Sequence, residues 1–422
     1  MIPNQPILLL FSALLTTAMA ESRNWTRVVD GPGARKLHGM VPLLSGGLFL
    51  YAGFDDGSFS TNDGTNDAYL YAGGTWTRVA DGPSARYGHA MAPLSDGSVL
   101  MHGGHQLDGI CTNDASVYTP PSSSSMSSTG GGTWTKVTDG PSARSGHAMA
   151  LLSDGRVFMY GGDNDGFADD YMNDAYLFTS SSAGGTWTRV ADGPYARSDH
   201  AMAPLSDGSV LMYGGYYFES TNPTPNNSIM FNDTYIYTAP LSTSSTTSVD
   251  LASSAGGTWT RVADGPGARA YHAMAVLTGG LSDRVVVYGG VDVDNNALND
   301  VYVYERLKYT KGTWTKFADG PSERYGHAMA PLTGGTVLMY GGNDGGLHDF
   351  NNNDAWINDF AGNSPPTICC QAKSSDYKAK CGQFLDSKSC DDYSKGFGDF
   401  CEWKCGTPAT ATPPPTDLVV SR

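Results

Sequence analysis

Glutamate is nearly missing from this chain: five of its 42 acidic residues are Glu and 37 are Asp. Asp favours tight turns, so the acidity reports turns more than an acidic binding face. Basic residues number only 26 and the net charge is −16, which excludes a protein built to hold nucleic acid. Charged types reach just 16%, yet 11% aromatics exclude a disordered chain, and 53 Gly with 23 Pro exclude a helical bundle. After the N terminus no apolar run is long enough to span a bilayer. Cysteine is rare until Cys369, and six of the seven lie between Cys369 and Cys405.

What is present is repetition. Trp25, Trp76, Trp134, Trp187, Trp259 and Trp314 are each followed thirteen residues later by His38, His89, His147, His200, His272 and His327. From each histidine an apolar stretch of period two runs to a Gly pair, such as Gly161-Gly162. An Asn-Asp, such as Asn173-Asp174, then precedes a short aromatic stretch. Each unit therefore reads as four short antiparallel strands separated by turns. The arginines Arg35, Arg86, Arg144, Arg197, Arg269 and Arg324 recur with the histidines, and are expected to brace neighbouring units through Asp or carbonyl contacts.

This pattern over residues 24–360 resembles the kelch motif. The resemblance implies an all-β, six-bladed β-propeller, related in fold to the central domain of galactose oxidase. The sixth unit lacks its last strand while an unclaimed Trp25-Thr26-Arg27-Val28 opens the chain, so the N-terminal strand is expected to close the ring. Blade one departs from the motif with Ala52-Gly53 in place of a Gly pair. The copper radical enzymes of the same fold place two tyrosines and a cysteine just before the repeated histidine. Tyr271-His272 matches one such pair, but Leu37, Gly88, Gly146, Asp199 and Gly326 supply neither the second tyrosine nor the cysteine.

Residues 1–20 read as a secretory signal, with an apolar core from Ile7 to Leu15 and Ala18-Met19-Ala20 before Glu21. The expected organisation is that signal, a propeller over 21–363, a small disulfide-rich module over 364–405 and a Pro/Thr-rich tail over 406–422. Cys369, Cys370, Cys381, Cys390, Cys401 and Cys405 would staple the module, with connectivity left open. Asn24, Asn226 and Asn232 stand in glycosylation sequons, as suits a secreted, extracellular protein.

The resemblance further implies a recognition surface at the channel mouth, where the residue after the repeated arginine lies: Lys36, Tyr87, Ser145, Ser198, Ala270 and Tyr325. Asp199 and Tyr271, which replace the usual Gly before the histidine, and Tyr216, Tyr217 and Phe218 in the longest loop, are the further contact residues. No cofactor is required. Two ion sites are the candidates to test: zinc at His102, His105 and Cys111, and calcium at the loop of Asp163, Asn164, Asp165, Asp169 and Asp170. The expected function is a secreted propeller that binds an extracellular protein or glycan. The alternative is an extracellular enzyme acting on sugars, an oxidase, epimerase or lyase.

Overall fold

A computed structural model of the chain describes residues 25–55, 64–121, 131–164, 170–218, 228–240, 256–277, 283–307, 310–345 and 351–360, with the strands Cys369–Ala372 and Cys401–Lys404. The chain divides into two compact units, Met1–Ala361 and Gly362–Arg422. In the second, Cys369–Ala372 pairs antiparallel with Cys401–Lys404. The side chains of Cys369, Cys370 and Cys401, and residues Cys381, Cys390 and Cys405, lie outside the described residues, as do Asn24, Asn226 and residues 1–24.

The first unit holds six four-stranded antiparallel sheets. Blade one is Gly39–Pro42, Leu48–Phe54, Gly64–Ala72 and Thr75–Arg78, and blades two to five repeat this order along the chain. Blade six is made of Ala328–Pro331, Thr336–Tyr340 and Ala355–Asp359, completed by Thr26–Arg27 from the other end of the sequence. Thr26 pairs with Ile357 and Arg27 with Trp356. The ring is closed by the N-terminal strand, which covers the edge that blade six would otherwise expose.

Local composition explains each strand's place. Second strands such as Val157–Tyr160 bury every residue because a neighbouring blade covers each face. Five of the six first strands read Ala-Met-Ala and blade one's reads Gly39-Met40-Val41, small enough for neighbouring blades to approach around the axis. Outer strands alternate, and their tryptophans reach back one blade: Trp134 Nε1 donates to the Ala80 carbonyl at 3.2 Å and Trp187 Nε1 to that of Thr138 at 3.1 Å. In five blades a tyrosine at the end of the second strand reaches forward instead, as where Tyr51 Oη donates to the Ser84 carbonyl at 2.6 Å. The Gly of the facing Asp-Gly-Pro turn makes room for that ring, since a Cβ on Gly193 would lie 2.0 Å from Tyr160.

The repeated arginines brace on two sides. Each guanidinium pairs with the Asp of its own blade, while the backbone ties neighbouring blades, as where the Arg144 carbonyl accepts from Gly104 N–H of blade two at 2.8 Å. Arg86 pairs with Asp114 at 2.7 Å and Arg197 with Asp233 at 2.7 Å, each carboxylate coming from the Asn-Asp of the same blade. Each guanidinium also donates to the carbonyl just after that blade's second strand, as Arg144 does to Gly161 at 2.8 Å. Six buried charges are thus neutralised and hydrogen-bonded. Blade one keeps this geometry without its glycine: Ala52 adopts φ 59° and its carbonyl accepts from Arg35 at 2.9 Å.

Candidate functional site

The residue before each repeated histidine must turn sharply into the first strand, and all six do so with positive φ: Leu37 55°, Gly88 65°, Gly146 61°, Asp199 54°, Tyr271 58° and Gly326 63°. Their backbones join in a closed belt. Leu37 N–H donates to Gly326 O, Gly326 to Tyr271, Tyr271 to Asp199, Asp199 to Gly146, Gly146 to Gly88 and Gly88 to Leu37, at 2.7–3.0 Å. Glycine is the economical residue for this conformation, and a non-glycine residue there carries about 1–2 kcal/mol of strain. Blades four and five accept that strain to place Asp199 and Tyr271 at the mouth.

Around the belt, the residue after each arginine forms a β-bridge with the residue after the glycine pair: Lys36 with Phe54, Tyr87 with His105, Ser145 with Asp163, Ser198 with Tyr216, Ala270 with Val291 and Tyr325 with Asn343. These two rings carry an aromatic collar. Tyr171 packs on Tyr217 and Tyr216 with centroids 5.3 and 5.6 Å apart, Tyr216 on Tyr271 at 5.7 Å, and Tyr271 on Tyr325 at 6.1 Å. The Lys36 ammonium lies over Tyr325 and Phe54 at 5.4 and 5.7 Å. Phe54 then meets Tyr87 at 5.3 Å, and Tyr87 stacks on His105 at 5.1 Å. Ser145 Oγ, 2.9 Å from His105 Nε2, brings the contacts back to blade three.

The expected mouth residues therefore meet, though not all in the same way. Lys36, Tyr87, Asp199, Tyr216, Tyr217, Tyr271 and Tyr325 are partly exposed and Phe218 is exposed, whereas Ser145 and Ser198 are buried. Ser198 Oγ donates to Asp199 Oδ2 at 2.6 Å, so this serine positions the carboxylate instead of presenting surface. Phe54, Tyr171 and Asn343 went unread in the sequence. The signal that marks Phe54 and Asn343 is the position one past the glycine pair, shared by His105, Asp163, Tyr216 and Val291.

Asp199 differs electrically from the structural aspartates. Asp67, Asp114 and Asp354 lie below the usual carboxylate range because arginine hydrogen bonds and charge outweigh the burial that opposes ionisation. Asp199 is pushed up to about 7, first by burial of its carboxylate and then by the charge of Asp163, against hydrogen bonds from Ser198 and Tyr271. Burial likewise raises Tyr171, Tyr216 and Tyr271.

Behind the belt the six histidines line a cavity of about 140 Å³ together with Leu37, Asp199 and Tyr271. Each is buried, and burial followed by a neighbouring arginine or histidine charge drives each below the usual imidazole range. His89 and His272 fall to about 3. At the other end of the channel Met40, Met91, Met149, Met202, Met274 and Met329 line an apolar cavity of about 430 Å³.

The expected zinc set is not assembled. His102 occupies the blade-two position held elsewhere by the inter-blade tyrosine, with Nδ1 3.0 Å from His147 Nε2 and its ring against Trp187. His105 instead faces Ser145 and Cys111, whose Sγ lies 3.6–3.7 Å from the imidazole nitrogens. No three His, Cys, Asp or Glu among the described residues are grouped to hold a metal ion. The backbone explains the separation, because one strand directs alternate side chains to opposite faces and the glycine turn redirects the residues beyond it. Of the calcium loop, Asp165 and Asp169 lie outside the described residues, while Asp163 is buried beside the collar. Asn232 is exposed, next to the buried Asp233 and Thr234.

Among known proteins, the family described as the KLHDC2/KLHL20/DRC7 Kelch-repeats domain matches residues 12–215. The chain is 26% identical over 396 residues to multiple epidermal growth factor-like domains protein 8 of Homo sapiens, an alignment covering 86% of this chain and 12% of that protein. It is 25% identical over 295 residues to F-box/kelch-repeat protein At1g51550 of Arabidopsis thaliana, covering 66% of this chain and 55% of that protein. It is 27% identical over 189 residues to beta-scruin of Limulus polyphemus, covering 44% and 18%. The chain thus spans about an eighth of the first relative's length and about half of the second's.

Proposed function

This chain is a kelch-repeat β-propeller protein, and we propose that it is a secreted binding propeller whose aromatic collar recognises an extracellular protein. Kelch-repeat proteins generally mediate protein interactions. The observation that carries the reading is the collar itself. On a frame where the belt, arginines and histidines recur in every blade, the varied positions gather at one rim as Tyr171, Tyr216, Tyr217, Tyr271, Tyr325, Phe54 and Tyr87. Rigid aromatics with a polar tip give large contact area at low entropic cost, as interface hot spots require. The alternative of a sugar-directed enzyme has no observation in its favour.

Screening the full chain against arrayed secreted proteins and glycans tests this. Tyr216→Ala and Tyr325→Ala should each weaken the strongest protein interaction by about 30-fold, the effect of truncating a hot-spot residue worth roughly 2 kcal/mol. Unchanged affinity in both variants would discard the mouth as the binding face, and retention by glycans alone would reject the protein partner.

Secretion rests on residues 1–20, and N-glycans at Asn24, Asn226 and Asn232 would accompany it. Expressed in a eukaryotic secretory host, the chain should reach the medium beginning at Glu21 and lose mass on enzymatic deglycosylation. Retention in cells with Met1 intact would overturn the assignment.

A further inference from the structure

The aspartates of the Asn-Asp turns follow a rule. Asp67, Asp114, Asp174, Asp233, Asp300 and Asp354 each face a buried guanidinium, and Asp283 faces Arg306 at 2.8 Å. Asp199 is placed differently. Among the described residues no ion pair includes Asp199, and its electrostatic neighbour is a second carboxylate, Asp163. A carboxylate in such surroundings is costly unless a cation joins it.

The cavity beside it is furnished for that cation. It is lined by Asp199, Tyr271, His200 and His272, and the two histidines are 5% and 6% exposed. Neither ring nitrogen of His200 has a hydrogen-bond partner among the described residues, whereas His272 meets the Tyr213 backbone. Held neutral, each imidazole offers one lone pair to a donor. Tyr271 lines the cavity with its Oη 3.1 Å from Tyr216 Oη, and Tyr216 and Tyr171 pack beside it in turn. Aromatic faces beside carboxylates favour an ammonium or guanidinium. A cavity of about 140 Å³ has room for such a head group and little more.

We propose that the channel mouth takes the cationic side chain of an exposed Arg or Lys on the protein partner, with Asp199 as its counter-ion, Tyr271 backed by Tyr216 as its wall and the neutral His200 and His272 as acceptors. This rests on the mouth being the binding face. It adds the chemistry that the mouth selects.

The groups around Asp199 fix the sign of the pH dependence. Blade three contributes Asp163, Tyr171 and His147, blade four Ser198, His200 and Tyr216, and blade five Tyr271 and His272. The tyrosines and histidines stay neutral near neutral pH, so Asp199 is the group that changes charge there. Cation affinity should fall as pH drops through about 7.

The test uses the full chain and arrayed hexapeptides whose central residue is Arg, Lys, citrulline or Glu in otherwise identical neutral sequences. The wild-type protein should retain Arg or Lys peptides about tenfold better than citrulline, as expected for a desolvated charge pair. Asp199→Asn, which keeps the shape and tolerates positive φ, should erase both that preference and its pH dependence. Failure of the wild-type protein to prefer Arg or Lys over citrulline overturns the proposal whether or not the variant folds. If Tyr216→Ala abolishes peptide binding while Asp199→Asn leaves it intact, the cation site is wrong and the mouth reading stands. If neither substitution matters, both fall.

Discussion

Between about pH 7 and about pH 5 the propeller is expected to lose stability steeply, because seven buried histidines must remain neutral for it to fold. His38, His89, His102, His147, His200, His272 and His327 all lie below the usual imidazole range, with His89, His102 and His272 near 3. Burial is the first cause in each, and for His89 the charge of Arg86 comes second. Unfolding returns each ring to an ordinary value near 6.5, so below that pH the unfolded chain binds protons that the native one refuses. Their contribution is complete above about 6.5 and declines as pH falls towards each lowered value. The slope approaches about 1.4 kcal/mol per pH unit for every histidine. Asp199 opposes this, since a carboxyl raised to about 7 gives stability as pH falls through that value. One such group does not offset seven. Urea unfolding midpoints measured across this range should drop sharply, and a flat profile would show that the histidines are not held neutral.

Asp233→Ala should lower the unfolding free energy by about 3–5 kcal/mol, the usual consequence of leaving a buried charge without its partner. Arg197 is fully buried; it binds both carboxylate oxygens of Asp233 at 2.7 and 3.0 Å and donates to the Gly214 carbonyl at 2.7 Å. Its guanidinium also lies 4.0 Å from the centroid of Phe231. The same blade region supplies a control. Arg189 and Asp192 form an ion pair at 2.9 Å with side chains 61% and 42% exposed, and Asp192→Ala should cost under about 1 kcal/mol. Replacing both buried partners with apolar residues of similar volume should cost far less than removing Asp233 alone, because no charge is then stranded. Equal urea midpoints for Asp233→Ala and Asp192→Ala would refute the structural role given to the repeated arginines.

Much of this architecture was legible in the order of residues because short-range rules govern it. The unvarying interval from tryptophan to histidine, the glycine pairs and the Asn-Asp turns define four strands per unit, and the orphan strand at Trp25 demands closure. Asp199 and Tyr271 stood out as departures from Gly, yet the reason Gly belongs there, the closed backbone belt with positive φ, became visible only when all six blades were present. Arg197 and Asp233 lie 36 residues apart, and nothing in that interval distinguishes a brace within one blade from a brace between two. The same limit explains the zinc expectation, where nearness along the chain suggested a site that the glycine turn divides.

Residue order alone set the number of blades, their closure and the positions free to vary, since hydrophobic period, turn chemistry and repeat count are local properties summed along the chain. Which of the varied residues meet was settled by assembly in three dimensions. Tyr171, Tyr216, Tyr271, Tyr325, Phe54 and Tyr87 are far apart along the chain and become one collar because the ring brings equivalent turns to the same rim. The abnormal acidity of Asp199 arises there too, from burial and from the charge of Asp163 on the neighbouring blade.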